Sequence, residues 1–253
     1  MNTNQLYAAQ DKFLNLLGNI DNIHKVGGEI ILCGGTALAR QYVHHRVSYD
    51  LDFFLNKRFN PIELLRLLGS NGIVLENIQT EHERFVTQCF GVWSHQGTQI
   101  KISFIEDSFP DMFSPAHISF TDTTIKTEEI DGLYHRKLRT ITGISQSDVP
   151  QSGRQTARDI FDLFVLDQSL ETIPMFIKNI NDKGANFPDK AFIHGIGAMP
   201  WLDLMDEFQA LDIEDPIKAS IGLDFNHSIM GDIRNRFNDI ILEVSADVKN
   251  FKP

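Results

Sequence analysis

The sequence predicts an α+β fold in two parts: strands interleaved with helices over residues 1–125, and a helical bundle over 126–253. Three observations predict it. Short apolar runs and alternating segments recur between residues 30 and 105, each bounded by Gly, Pro or Asn. From about residue 126 the texture is helical to the end. The 253 residues are 42% hydrophobic and 23% charged, enough to bury one large core or two small ones.

The elements follow in order. Residues 5–20 carry Leu6, Phe13, Leu16, Leu17 and Ile20 near one stripe, which predicts a helix. Ile30–Cys33 is a continuous apolar run after Gly27-Gly28 and predicts a buried strand. A helix follows over Thr36–Val43, with Thr36 at or near its N-cap. Asp50–Leu55 alternates acid and apolar and predicts a strand with Leu51, Phe53 and Leu55 toward the core. Asn60-Pro61 opens a helix that Gly69 or Gly72 closes. Ile73–Ile78, Arg84–Trp93 and Thr98–Ile105 are β-rich, with a hairpin turn at 94–97 between the last two and a loop at 106–116. Helices are predicted over 127–143, 154–168, 170–182, 188–195, 200–210 and 229–247.

Charge and cysteine content narrow the function classes. The formal charge of −11 excludes a histone-like or cationic membrane-surface protein. Two cysteines, Cys33 and Cys89, make no disulfide framework and fit a reducing compartment. The opening residues, MNTNQLYAAQDKF, lack the charged and apolar regions of a signal peptide, and no apolar run approaches the roughly 20 residues of a membrane span. The expectation is a soluble, cytoplasmic protein with no membrane partner.

Chemistry concentrates in residues 30–55. Gly34-Gly35-Thr36 lies between a strand and a helix, where glycines permit a sharp turn and close approach of a ligand. Backbone N–H groups at the start of the following helix suit a phosphate. Asp50 and Asp52 are two apart on a strand, so both carboxylates project to one face. Such a pair repels itself unless a hard cation, Mg²⁺ above all, neutralises it. A phosphate seat 14 residues from a metal seat suits a nucleoside triphosphate with its divalent ion.

The segment GGTALAR…HHRVSYDLDFF resembles the AbiEii/AbiGii toxin nucleotidyltransferases, within the DNA-polymerase-beta-like nucleotidyltransferase superfamily. That family pairs a Gly-Gly-Thr/Ser helix start with a His-Arg-x-Ser-x-Asp-x-Asp stretch, and residues 45–52 fill every motif position. A second family signature reads here as Lys137-Leu138 on one helix and Arg158-Asp159-Ile160-Phe161-Asp162-Leu163 on the next. The resemblance implies a mixed β-sheet with flanking helices, and a helical domain completing the cleft. It places Gly34, Gly35 and Thr36 at the triphosphate, with Arg46 and Ser48 shaping the nucleotide-binding loop. It places Asp50 and Asp52 on Mg²⁺ or Mn²⁺, and gives Lys137 and Asp159 catalytic roles. It further implies an NTP substrate, an acceptor that is a tRNA or other RNA end, a protein or a small molecule, and an antitoxin protein as partner in phage defence.

One position departs from the pattern. Relatives commonly carry a third carboxylate on a later strand, in a run like Lys-Ile-Asp-Phe. Here the run is Lys101-Ile102-Ser103-Phe104, and Glu106, three residues on, points to the other face. This departure motivates a second function class, a nucleotide-binding or interaction protein with degraded catalysis. A third, an aminoglycoside-type small-molecule nucleotidyltransferase, shares the superfamily core that the resemblance implies.

Other features carry less. There is no HExxH, no Cys/His cluster and no GxSxG. The 19 phenylalanines read as core. Residues 131–160 hold five Lys or Arg against three Asp, while 201–216 hold six acids and no base. A basic rim in an acidic protein fits a triphosphate and is compatible with an RNA end.

Overall fold

The computed structural model describes residues 2–82, 86–142, 156–213 and 228–250. The chain divides into two compact units, Met1–Leu133 and Tyr134–Pro253, with the division inside one helix.

The first unit is built on a mixed seven-stranded sheet. Its strands are β1 (Ile30–Cys33), β2 (Leu51–Leu55), β3 (Glu76–His82), β4 (Thr87–His95), β5 (Thr98–Glu106), β6 (Pro115–His117) and β7 (Lys126–Glu128), in the order β3-β4-β5-β2-β1-β7-β6. β1 runs antiparallel to β2 and parallel to β7, and β2 runs parallel to β5. Helix α1 (Thr3–Gly18) starts on Asn2, whose side chain accepts from the Asn4 N–H, and buries Leu6, Ala9, Gln10, Phe13, Leu14 and Leu17. Phe13 meets Phe53 of β2 and the edge of Trp93 of β4, and Phe53 stacks on Phe104 of β5. Leu51, Phe53, Leu55, Ile100, Ile102 and Phe104 are all sealed on that face, as period-2 alternation requires. β4 and β5 join through Gln96 and Gly97, both with positive φ (49° and 80°), the geometry that matches strand twist in a two-residue hairpin.

Several local expectations change. The helix after β1 begins at Gly34, with extended Cys33 as its N-cap, so Thr36 lies inside the first turn, near the cap and not at it. After this short α3 (Gly34–Ala37) the chain continues as a π-helical turn over Leu38–Val43. There the His44 N–H reaches back five residues to the Ala39 carbonyl at 2.9 Å, and His44 itself turns left-handed (φ 53°). The helix expected at 127–143 begins only at Ile130, because Lys126–Glu128 pairs with β1 as β7. The expected loop at 106–116 gives way at Pro115 to β6, which pairs with β7. The strand expected at 73–78 starts at Glu76 and runs to His82. The start of the expected Arg84–Trp93 strand, like residues 143–155, lies outside the described residues. The remaining helices of this unit are the four-residue α2 (His24–Gly27) and α4 (Pro61–Ser70); α4 is capped by Asn60 and opened by its proline.

The second unit is helical. It contains the end of α5 (Ile130–Thr142), then α6 (Ala157–Ser169), α7 (Ile173–Asp182), α8 (Asp189–Gly197), α9 (Leu204–Gln209) and α10 (Ser228–Asn250). Tyr134 stacks on Phe176 at 4.1 Å, and its hydroxyl donates to the Glu171 carbonyl at 2.9 Å. Burial, with Asp167 and Glu171 nearby, holds that phenol far above its ordinary pKa. Helix α10 packs against α6, α7 and α8. It is fixed by Arg236, which donates through Nε (2.7 Å) and Nη2 (3.0 Å) to the fully buried Asp167. That bidentate pairing raises the Arg236 pKa further.

Candidate functional site

The first unit brings together seven of the nine residues singled out in the sequence. Gly34 takes a positive φ of 72°, and a Cβ there would lie 2.5 Å from Asp52 Oδ2. Both facts demand glycine: the backbone is left-handed, and the carboxylate occupies the space a side chain would need. Thr36 donates its hydroxyl to the Asp50 carbonyl in a short hydrogen bond. The turn after β1 is thereby tied to the entry of β2 at Asp50, with Gly34 lying close against Asp52.

The loop between them is packed from beneath. Arg46 and Ser48 are 3% and 6% exposed. A Cβ on Gly35 would sit 2.6 Å from Arg46 Nη2 and 2.9 Å from Ser48 Oγ. The close approach that Gly35 permits is therefore to the chain's own guanidinium and hydroxyl. Arg46 also donates to the Val47 carbonyl at 3.1 Å.

A residue that the sequence did not single out completes the support. Gln10, fully buried on α1, donates through Nε2 to the Ser48 carbonyl at 2.8 Å, and its Oε1 accepts from Arg40 Nη1 at 3.1 Å. Arg40 in turn pairs with Asp11 at 2.8 Å and lies over the rings of Tyr7 and Phe120. A buried polar residue within an apolar helical stripe was the available signal.

Asp50 and Asp52 are half-buried. Across the sheet, Asp52 stands level with Cys33 of β1 and with Ser103 of β5. Glu106 is level with Leu55, where it accepts from the Thr87 N–H at 2.9 Å and stands 3.9 Å from Arg58. Cys33 is sealed, with its Sγ 3.8 Å from Glu128 Oε2. Asp50, Asp52 and Ser103 each carry an oxygen donor, the ligand chemistry that Mg²⁺ and Mn²⁺ favour. Among the described residues no group of three or more His, Cys, Asp or Glu side chains is placed to hold an ion. Two carboxylates would leave the remaining coordination positions to ligand oxygens and water.

The second unit brings Lys137 and Asp159 together, and adds Asp162. Lys137 Nζ lies 2.7 Å from Asp159 Oδ1 and 2.7 Å from Asp162 Oδ2. Exposures of 7%, 1% and 0% make this a buried ionic triad and not a solvated surface pair. Asp159 also accepts the Thr156 hydroxyl at 2.8 Å, while Thr156 caps α6 by accepting the Asp159 N–H at 3.3 Å. Among the described residues no helix is long and apolar enough to cross a membrane.

Comparison with known proteins gives the following. A family model described as nucleotidyl transferase AbiEii toxin, type IV toxin–antitoxin system, matches residues 22–189. The crystal structure of JHP933 from Helicobacter pylori is similar at a TM-score of 0.52 and 16% identity, covering 98% of this chain and 94% of that one. A second H. pylori structure, assigned as a nucleotidyltransferase, is similar at a TM-score of 0.53 and 16% identity, covering 98% of both chains. No curated protein matches the chain.

Proposed function

The chain belongs to the AbiEii nucleotidyl transferase toxin family, and from that premise we propose that it moves a nucleotide from an NTP to an acceptor hydroxyl. The observation that carries this reading is the junction of Gly34 and Thr36 with Asp52 and Asp50. It sets a backbone turn able to receive phosphate against the Asp52 carboxylate and ties that turn to the Asp50 main chain. The turn would hold the triphosphate through backbone N–H groups, and Arg46, Ser48 and Gln10 would keep the loop in place from below. Asp50 and Asp52 would hold Mg²⁺ or Mn²⁺, which when bound neutralises phosphate charge and favours departure of pyrophosphate. Transfer joins the acceptor oxygen to the α-phosphorus and breaks the bond to the β-phosphate oxygen. The acceptor's proton goes to a base or to solvent.

The family resemblance gives Lys137 and Asp159 their catalytic roles. Their burial supports the narrower statement that Lys137 is held in one geometry between Asp159 and Asp162. An antitoxin protein as partner follows from the family's toxin–antitoxin description. The test is incubation with each labelled NTP, Mg²⁺ and either total RNA or cell extract. Label passing to one acceptor class is the expected result, and no transfer from any NTP overturns the reading.

Ser103 favours a second reading. It stands beside Asp52, where a third acid would complete the carboxylate set. A hydroxyl is neutral near pH 7 and a poor base. A protein of this kind would bind NTP tightly and turn it over slowly or not at all. Calorimetric NTP binding without transfer would select it.

A further inference from the structure

The sheet face that carries Asp52 continues past Ser103 to an aromatic ring and a cation that the proposed reaction has not used. Ser103 is level with Asp52 on one side and with Phe90 of β4 on the other. Adjacent strands lie about 4.8 Å apart, so the Phe90 backbone is roughly 10 Å from that of Asp52. Phe90 is half-buried, unlike Phe13, Phe53 and Phe104, which are sealed on the opposite face. Lys101 precedes Ser103 by two residues on the same face, is exposed, and holds its Nζ 5.7 Å from the centre of the Phe90 ring. Among the described residues no carboxylate lies within ion-pair distance of Lys101.

We infer that Phe90 and Lys101 form a seat for an unstacked nucleotide, with the base on the Phe90 ring and a phosphate at Lys101. An accessible ring and a cation side by side are the two elements that hold single-stranded nucleotides without reading their sequence. At 5.7 Å the ammonium is near the outer limit of cation–π attraction, so a base can displace it from the ring cheaply. A phosphate would offer it a stronger partner. The position fits a nucleotide whose reactive end lies at Asp50 and Asp52; in that respect the inference rests on the reading of those aspartates as the reacting end. In a chain of net charge −11, a local cation beside the site also offsets the repulsion an anionic ligand would meet.

The ligand could be the terminal nucleotide of an RNA acceptor or the NTP itself, and two probes separate them. The first is a fluorescein-labelled single-stranded A₁₀ RNA, titrated by anisotropy in EDTA without NTP. The second is each NTP with Mg²⁺, titrated by calorimetry. Phe90→Ala is expected to weaken binding of one probe by about 5- to 150-fold, with Phe90→Trp restoring it. Lys101→Gln is expected to weaken the same probe and, for the RNA, to lower the salt slope by about 0.7. Loss for the RNA alone assigns the seat to the acceptor, and loss for the NTP identifies it as the donor's base site. Unchanged affinity for both probes in Phe90→Ala overturns the proposal, as does a wild-type protein that binds neither. RNA binding in EDTA does not depend on transfer. A Phe90-sensitive protein that transfers nothing therefore refutes the enzymatic reading and leaves the seat standing, whereas active transfer with Phe90-insensitive binding does the reverse.

Discussion

At Gly35 the sequence and the structure assign the same residue different work. The Gly-Gly-Thr pattern reads as a surface for phosphate, yet the atoms nearest a Cβ on Gly35 belong to Arg46 and Ser48. Gly35→Ala should therefore cost about 1–3 kcal/mol of stability through overpacking, with or without nucleotide. A urea midpoint equal to wild type would show that the loop below has room. Asp52→Asn tests the chemistry instead. It removes one of two neighbouring charges on a half-buried face, so the thermal midpoint should hold while transfer falls by about 10²-fold or more. Retained activity would sink the metal assignment. Ser103→Asp adds a carboxylate level with Asp52 and should raise Mn²⁺ affinity or transfer rate, and general-base catalysis leaves room for about 10²–10⁴-fold. A well-folded Ser103→Asp protein that loses both would show that the hydroxyl itself is required.

The elements that were legible are those whose own residues dictate them. Helix α1 has its stripe, β2 its alternation, α4 its Asn-Pro start and the β4–β5 hairpin its Gln-Gly turn. Strands β6 and β7 were not legible. Three residues carry no usable period, and Lys126–Glu128 becomes a strand only because β1 offers it an edge. The π-helical turn was equally hidden, since Leu38–Val43 is good helical sequence and the extra residue is absorbed where Tyr42 reaches the Glu128 carbonyl at 2.9 Å. Between α5 and α6 the sequence shows a lysine and two aspartates and nothing of their burial. Charges on helices usually face water, and only tertiary packing seals these three. Lys137→Met should strand two carboxylates in the interior and destabilise the helical unit by about 3–5 kcal/mol. Chemical denaturation followed by far-UV dichroism measures this, and a loss under 1 kcal/mol would mean that water reaches the aspartates.

On the scale of the whole molecule, the two thiols report on integrity. Cys33 and Cys89 are sealed thiols outside any disulfide, and burial pushes the Cys89 thiol up to about 11 from its ordinary 9.0. An unfolded chain ionises this thiol near pH 9 and the folded one only near 11, so its contribution to stability is present below pH 9 and lost between about 9 and 11. Urea midpoints should fall over that interval, and Cys89→Ala should flatten the fall. A profile identical to wild type would exclude the thiol as its source. The central strands have a different consequence during synthesis. β1 is bordered on one side by β2, close by in sequence, and on the other by β7, whose Thr127 hydroxyl donates to the Leu32 carbonyl across 95 residues. A ribosome adding about 5–20 residues per second needs about 5–20 s to deliver that neighbour. For that interval the nascent chain displays an open apolar edge at its centre, a template for pairing with other chains. Expression yield should therefore depend on chaperones that shield emerging polypeptide more than on the stability of the finished protein.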